Sequence, residues 1–132
     1  MPDAAKEFIK AAKRADLNVL QALLVSDNAL IDARDSHGPT ALHCATWKGH
    51  EGVVAWLIAT GVDVNSHNGN GHRGATALHA AAHADHASIA QRLIDAGADV
   101  KAADRLGRTP LFHTTFHKAR AAAKVLEKNG GG

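Results

Sequence analysis

The chain has 132 residues, 45% hydrophobic and 21% charged, with a formal net charge of +2 at pH 7, a balance that excludes a disordered chain and suits one globular domain. Lys6, Glu7, Lys10, Lys13 and Arg14 interrupt residues 1–20, and no later stretch has the length of a transmembrane helix, so neither a signal peptide nor a membrane span is expected. Cys44 is the only cysteine, which rules out an internal disulfide and fits a reducing, cytoplasmic setting.

In chain order, the first segment (about 4–35) carries Phe8, Ile9 and Leu23-Leu24 but has a polar first helix, with Lys10, Lys13 and Arg14 on it. The second segment opens with Gly38-Pro-Thr-Ala-Leu-His43-Cys-Ala. The third returns this as Gly74-Ala-Thr-Ala-Leu-His79-Ala-Ala, and the fourth as Gly107-Arg-Thr-Pro-Leu-Phe112-His-Thr. Thr40, Thr76 and Thr109 are 36 and 33 residues apart, and a period in this range marks one supersecondary unit stacked on copies of itself.

Each threonine stands just before an apolar run, where its hydroxyl can accept from the free amides of a first helical turn, and Pro110 fits a first helical position. Gly61, Gly97 and Gly130 follow runs ending in Leu57-Ile58, Leu93-Ile94 and Val125-Leu126, where a helix is left through a left-handed residue. The pattern predicts two short helices per unit, roughly 41–48 with 51–59, 77–84 with 87–95, and 110–117 with 120–129, and no strand of any length.

These stretches, with Gly49-His50 answered by Asp85-His86 and Gly61-Val-Asp-Val-Asn65 answered by Gly97-Ala-Asp-Val-Lys101, resemble the ankyrin repeat over about residues 4–130. The resemblance implies an all-α solenoid of stacked helix-turn-helix units joined by hairpin-like loops. It divides the single domain 1–132 into an N-terminal cap (4–35), two repeats (36–68 and 69–101) and a C-terminal cap (102–130). Phe8 falls in the column of Leu42 and Leu78, while Ile9 replaces the motif histidine. Glu127 falls in the column of Ile58 and Ile94, as suits the last unit of a stack, and Gly131 and Gly132 read as a tail.

No motif for catalysis is present: Gly69-Asn-Gly71 with Gly74 lacks the Lys-Ser/Thr and preceding strand of a phosphate loop, so no enzyme is expected. The ten histidines pose a metal question, since His79, His83 and His86, and again His113 and His117, share helical faces. The resemblance assigns His43 and His79 to bonds with neighbouring backbone and His50 and His86 to helix openings, leaving His83, His113 and His117 for a metal reading, against which ordinary polar and capping roles are expected. No cofactor is expected, and Cys44, opposite Ala80, reads as a small hydrophobe.

Ankyrin domains bind partners through their loops and the exposed ends of the first helices. At the positions that the repeat leaves variable stand Lys13, Arg14, Ser36, His37, Pro39, Trp47, Lys48, His72, Arg73, Ala75, His83, Ala84, Arg105, Leu106, Arg108, Phe116 and His117. None is acidic, although the chain holds 13 Asp and Glu. His37, Trp47, Lys48, His72, Arg73, His83, Arg105, Leu106, Arg108, Phe116 and His117 are the expected contact residues, for a protein or peptide partner with an acidic surface. Nucleic acid is the rival occupant of a basic, aromatic-lined face and His-mediated metal binding the other alternative; a monomer is expected. Trp56 lies on a second helix and reads as a cover for apolar surface.

One loop departs from the period. Val64 to Thr76 is 12 residues, against 9 from Val100 to Thr109, so three residues are inserted within 66–73. Either a tolerated surface insertion or a lengthened contact loop accounts for them. In this count Gly71 takes the place of the turn aspartate.

Overall fold

A computed structural model describes residues 3–34, 38–68, 74–116 and 118–131, with the side chain of Phe116 outside that description. Its helices are α1 (Ala4–Lys13), α2 (Leu17–Ser26), α3 (Ala41–Lys48), α4 (Glu51–Ala59), α5 (Ala77–His83), α6 (Ala87–Asp95), α7 (Pro110–Phe116) and α8 (Arg120–Lys128), with a 3-10 helix at Asn28–Asp32. They fall within a residue or so of the sequence periods. Among the described residues there is no strand, only an isolated antiparallel bridge between Arg34 and Thr40.

Each unit is an antiparallel helix pair, and the pairs stack: α1, α3, α5 and α7 form an inner row in which each helix touches the next, while α4, α6 and α8 continue an outer row. The inner row packs closely because its contact positions are small. Ala11, Ala12, Ala45, Thr46, Ala81 and Ala82 are fully buried there. Between the rows lie Phe8, Leu42, Leu78, Leu57, Leu93 and Leu126, all at most 1% exposed.

Gly61, Gly97 and Gly130 have φ of +98°, +100° and +90°, as their positions after the outer helices require. The residue after each glycine then turns its amide back onto the last helical turn: Val62 to Leu57 O, Ala98 to Leu93 O, and Gly131 to Leu126 O at 2.7 Å. Gly131 is therefore part of a helix cap and buried, not a loose tail.

Successive units are also stitched by side chains. Asn65 donates to Gly97 O and accepts from the Asp99 amide, and Asp63 donates its amide to Asp32. His50 Nε2 donates to Lys13 O, and Asp85, itself left-handed at φ +59°, accepts from the Ala122 amide at the start of α8. Gly49, with φ +78°, leaves room for a neighbour: a Cβ there would stand 2.8 Å from the ring of His86, which would have to shift. Glu127 is exposed, whereas Ile58 and Ile94 pack against the core. Trp56 does the same as half-buried cover.

Two substitutions on one row should move stability in opposite directions. Leu78→Ala opens a cavity at an internal interface and should cost about 2–5 kcal/mol. The Thr46 hydroxyl is buried without a hydrogen-bond partner where the next unit has Ala82. Thr46→Ala removes that unsatisfied group and should leave stability unchanged or raise it by about 1 kcal/mol in urea unfolding. A loss of more than about 1 kcal/mol on Thr46→Ala would contradict the assignment of that row.

Candidate partner-binding groove

The groove is built from the first turns of α3 and α5. The Thr40 hydroxyl lies 2.8 Å from His43 Nδ1, the Thr40 amide donates to the same nitrogen, and the His43 amide faces Thr40 Oγ1, closing a reciprocal cap. Thr76 and His79 repeat this geometry, and the Phe112 amide donates to Thr109. The other ring nitrogen reaches across: His43 Nε2 donates to Ala75 O at 3.2 Å and His79 Nε2 to Arg108 O at 2.8 Å. Each motif histidine thus ties its own helix start to the loop of the next unit.

The loops close in matching ways. The Asp104 amide donates to Arg108 O at 3.0 Å, and the Asn68 amide donates to Ala75 O at 2.8 Å. Asn68, buried at 3% exposure, therefore holds the turn position that the residue count gives to Gly71. The three extra residues lie within 69–73, between Asn68 and Gly74, and the reading of a contact loop there falls outside the described residues. Ala75 belongs to the structural part as well. It is buried, its carbonyl accepts from the His43 ring and from the Asn68 amide, and it lies on the floor of the groove.

Between the histidine caps and the ends of the inner helices runs a half-open groove of about 470 Å³. Its walls are two registers of side chains: Cys44, Ala80 and His113 at one helical position, Trp47 and His83 one turn later. Trp47 and His83 stack with centroids 4.9 Å apart, and His113 meets His79 edge-on at 5.2 Å. At the far end the guanidinium of Arg108 lies 5.6 Å above the Phe112 ring. Lys13, Lys48 and Arg108 are the cations on the lining, and the described lining includes no carboxylate.

Asp104 pairs with Arg108 of the lining, and its side chain is fully buried. Burial alone would raise this carboxyl. The amides of Arg108 and Leu106, the His113 ring at 3.1 Å and the Arg108 guanidinium outweigh it and hold the pKa down to about 2. Arg108 Nε is 3.4 Å from Asp104 Oδ2 but is not aligned for a hydrogen bond.

Trp47, Lys48, His83 and Arg108, four of the residues expected at the face, are brought together on this groove. Arg105 and Leu106 are not on it. Arg105 lies along Gly74 in a cleft on the loop side, with Arg34 and His67, and Leu106 stands 61% exposed on the loop. His37, His72, Arg73 and His117 lie outside the described residues, as does the side chain of Phe116. Phe112 was absent from the expected face. The signal for it was a break in the motif, since it stands where Thr-x-Leu-His calls for histidine.

His117, one of the histidines considered for a metal, lies outside the described residues. Among the described residues the donors that converge are His79, Asp104 and His113, within 4.8 Å of one another. The hydrogen bonds decide their chemistry. A carbonyl only accepts, so His79 Nε2 carries the proton; a backbone amide only donates, so Nδ1 carries the lone pair that Thr76 uses. Both ring nitrogens of His79 are thus taken by backbone and His113 is bonded to Asp104, so the set reads as a hydrogen-bonded loop anchor.

The same tautomer makes the caps acid-sensitive. Burial lowers His43 from 6.5 to about 4, against a smaller opposing effect of its bond to Ala75, and burial likewise lowers His79. The unfolded chain binds the proton first, so stability is full above about pH 6.5 and falls as pH drops toward 4, by about 3 kcal/mol for His43 alone. Urea unfolding at stepped pH should show this slope, and His43→Gln should flatten it. An unchanged slope in His43→Gln would contradict the buried neutral ring.

The family described as ankyrin repeats (3 copies) matches residues 7–68 and 66–131. Ankyrin repeat domain-containing protein 29 of Homo sapiens is 44% identical over 55 residues, 42% of this chain and 18% of that protein. Ankyrin repeat domain-containing protein 49 of Bos taurus is 38% identical over 64 residues, 48% of this chain and 27% of that protein. The Homo sapiens transient receptor potential cation channel subfamily A member 1 is 40% identical over 62 residues, 45% of this chain and 6% of that protein. The matched stretch thus covers under a third of each relative. With the family match spanning nearly all of the stacked helix pairs, the chain belongs to the ankyrin repeat family.

Proposed function

We propose that this chain is a non-enzymatic, monomeric protein-interaction module of the cytosol that binds an acidic protein or peptide through the groove and the loops beside it. One observation carries the reading. Lys13, Lys48 and Arg108 border a groove without a carboxylate on its described lining, and Asp104, which pairs with Arg108 and His113, is buried. Among the described residues neither lysine is paired with an acid. The family supports a protein partner, since ankyrin repeats generally serve protein binding. No helix among the described residues is long and apolar enough to cross a membrane.

The test is capture on immobilised wild type beside a triple variant, Trp47→Ala with Lys48→Glu and Arg105→Glu, followed by kinetics on the partner retained. Lys48 and Arg105 are exposed, so each reversal should stay within about 0.5 kcal/mol, and Trp47→Ala, which removes the stack on His83, should cost about 1 kcal/mol and leave the variant folded. The two charge reversals should slow association and abolish its salt dependence, while Trp47→Ala should chiefly speed dissociation. A partner that bound wild type and triple variant alike at low and high salt would overturn the proposal.

A further inference from the structure

The groove has an unequal distribution of chemistry along its length. Lys13 and Lys48 stand at the end nearest the first unit and Arg108 at the other, whereas the middle is Cys44, Ala80 and the rings between them. Cys44 and Ala80 are small, and they leave the space that Trp47, His83 and Phe112 flank. Trp47 and Phe112 are each 39% exposed, which leaves apolar ring surface uncovered on both sides of the gap. Phe112 is the telling residue. Its predecessors in the motif, His43 and His79, spend their rings on a carbonyl of the next unit, and Phe112 has no nitrogen with which to do so.

Resting on the reading just proposed, we infer that the groove takes an extended acidic peptide by one large apolar side chain, seated between the Trp47–His83 stack and Phe112. Carboxylates on either side of that residue meet Lys13 and Lys48 at one end and Arg108 at the other. Arg108 suits this role: its backbone is pinned by Asp104, its Nε faces the same carboxylate, and its guanidinium is held over Phe112. An apolar anchor inside a ring of charge is the arrangement that concentrates binding energy in few contacts. Single-stranded nucleic acid fits less well. It needs cations that track a backbone along its length, and here the described cations sit at the two ends of the groove.

The probe is the fluorescein-labelled peptide Gly-Glu-Asp-Leu-Phe-Glu-Asp-Gly, followed by anisotropy at low and moderate salt. Its companions are the peptide with Ala-Ala in place of Leu-Phe, the peptide with every acid made the amide, and an oligothymidylate. The parent should bind best, and loss of either the apolar pair or the acids should weaken binding about tenfold or more. Phe112→Ala should erase the preference for Leu-Phe over Ala-Ala and keep the salt dependence. Lys48→Glu should do the reverse, with circular dichroism confirming that both variants stay folded. Equal binding of the Leu-Phe and Ala-Ala peptides would overturn the anchor while leaving the acidic reading intact. If the acidic peptides bound no better than the amide peptide, both would fall, and tighter binding of oligothymidylate would replace them with nucleic acid.

Discussion

A neutral histidine that bonds to backbone on both sides is the contact on which the stack depends. In α3 and α5 the ring accepts from the threonine that starts its own helix and donates to a carbonyl of the following loop. One side chain therefore satisfies a helix N-terminus, whose amides otherwise lack partners, and fixes how far the next loop stands from it. The alanine row can pack only at the spacing this allows. The groove is what remains above that row once the helix starts are pinned on one side and Trp47 and His83 stand on the other.

Electrostatics are sorted by the same architecture. On the outer row Glu51 pairs with Arg92 at 2.9 Å, and hydrogen bonds from Arg92 and Ser88 hold its carboxyl below the usual range. Both partners are well exposed, so the pair organises the surface more than it stabilises the fold. On the inner row the lysines have no such partner among the described residues. Asp104, on the loop before α7, is turned inward, fixes two amides of its loop, and orients Arg108 without presenting charge to the groove.

Much of this was legible in the sequence because the repeat's fixed residues each have a local backbone job. Thr40 and Thr76 announce helix starts, Gly61 and Gly97 announce helix ends, and the apolar columns follow from their spacing. The parts that escaped depend on contacts between segments. Counting residues across an insertion put Gly71 at the turn, whereas the hydrogen bond to Ala75 O selects Asn68. Gly131 resembles a tail until its amide is seen on Leu126 O. Phe112 reads as a degenerate motif residue; only the space beside Cys44 and Ala80 gives its ring a surface to line. The expected contact residues divided similarly, with Trp47, Lys48, His83 and Arg108 on the groove and Arg105 and Leu106 set apart by the loop's own fold.

Whether the units are joined through these rings is read most directly from the protonation state of His43 and His79, by long-range proton–nitrogen NMR correlation during a pH titration. His43 and His79 should be neutral with the proton on Nε2 at neutral pH, and His43 should stay so until pH approaches about 4. Rings that carried the proton on Nδ1, or a His43 that titrated near 6.5 like an exposed histidine, would show that the units are not joined through these bonds.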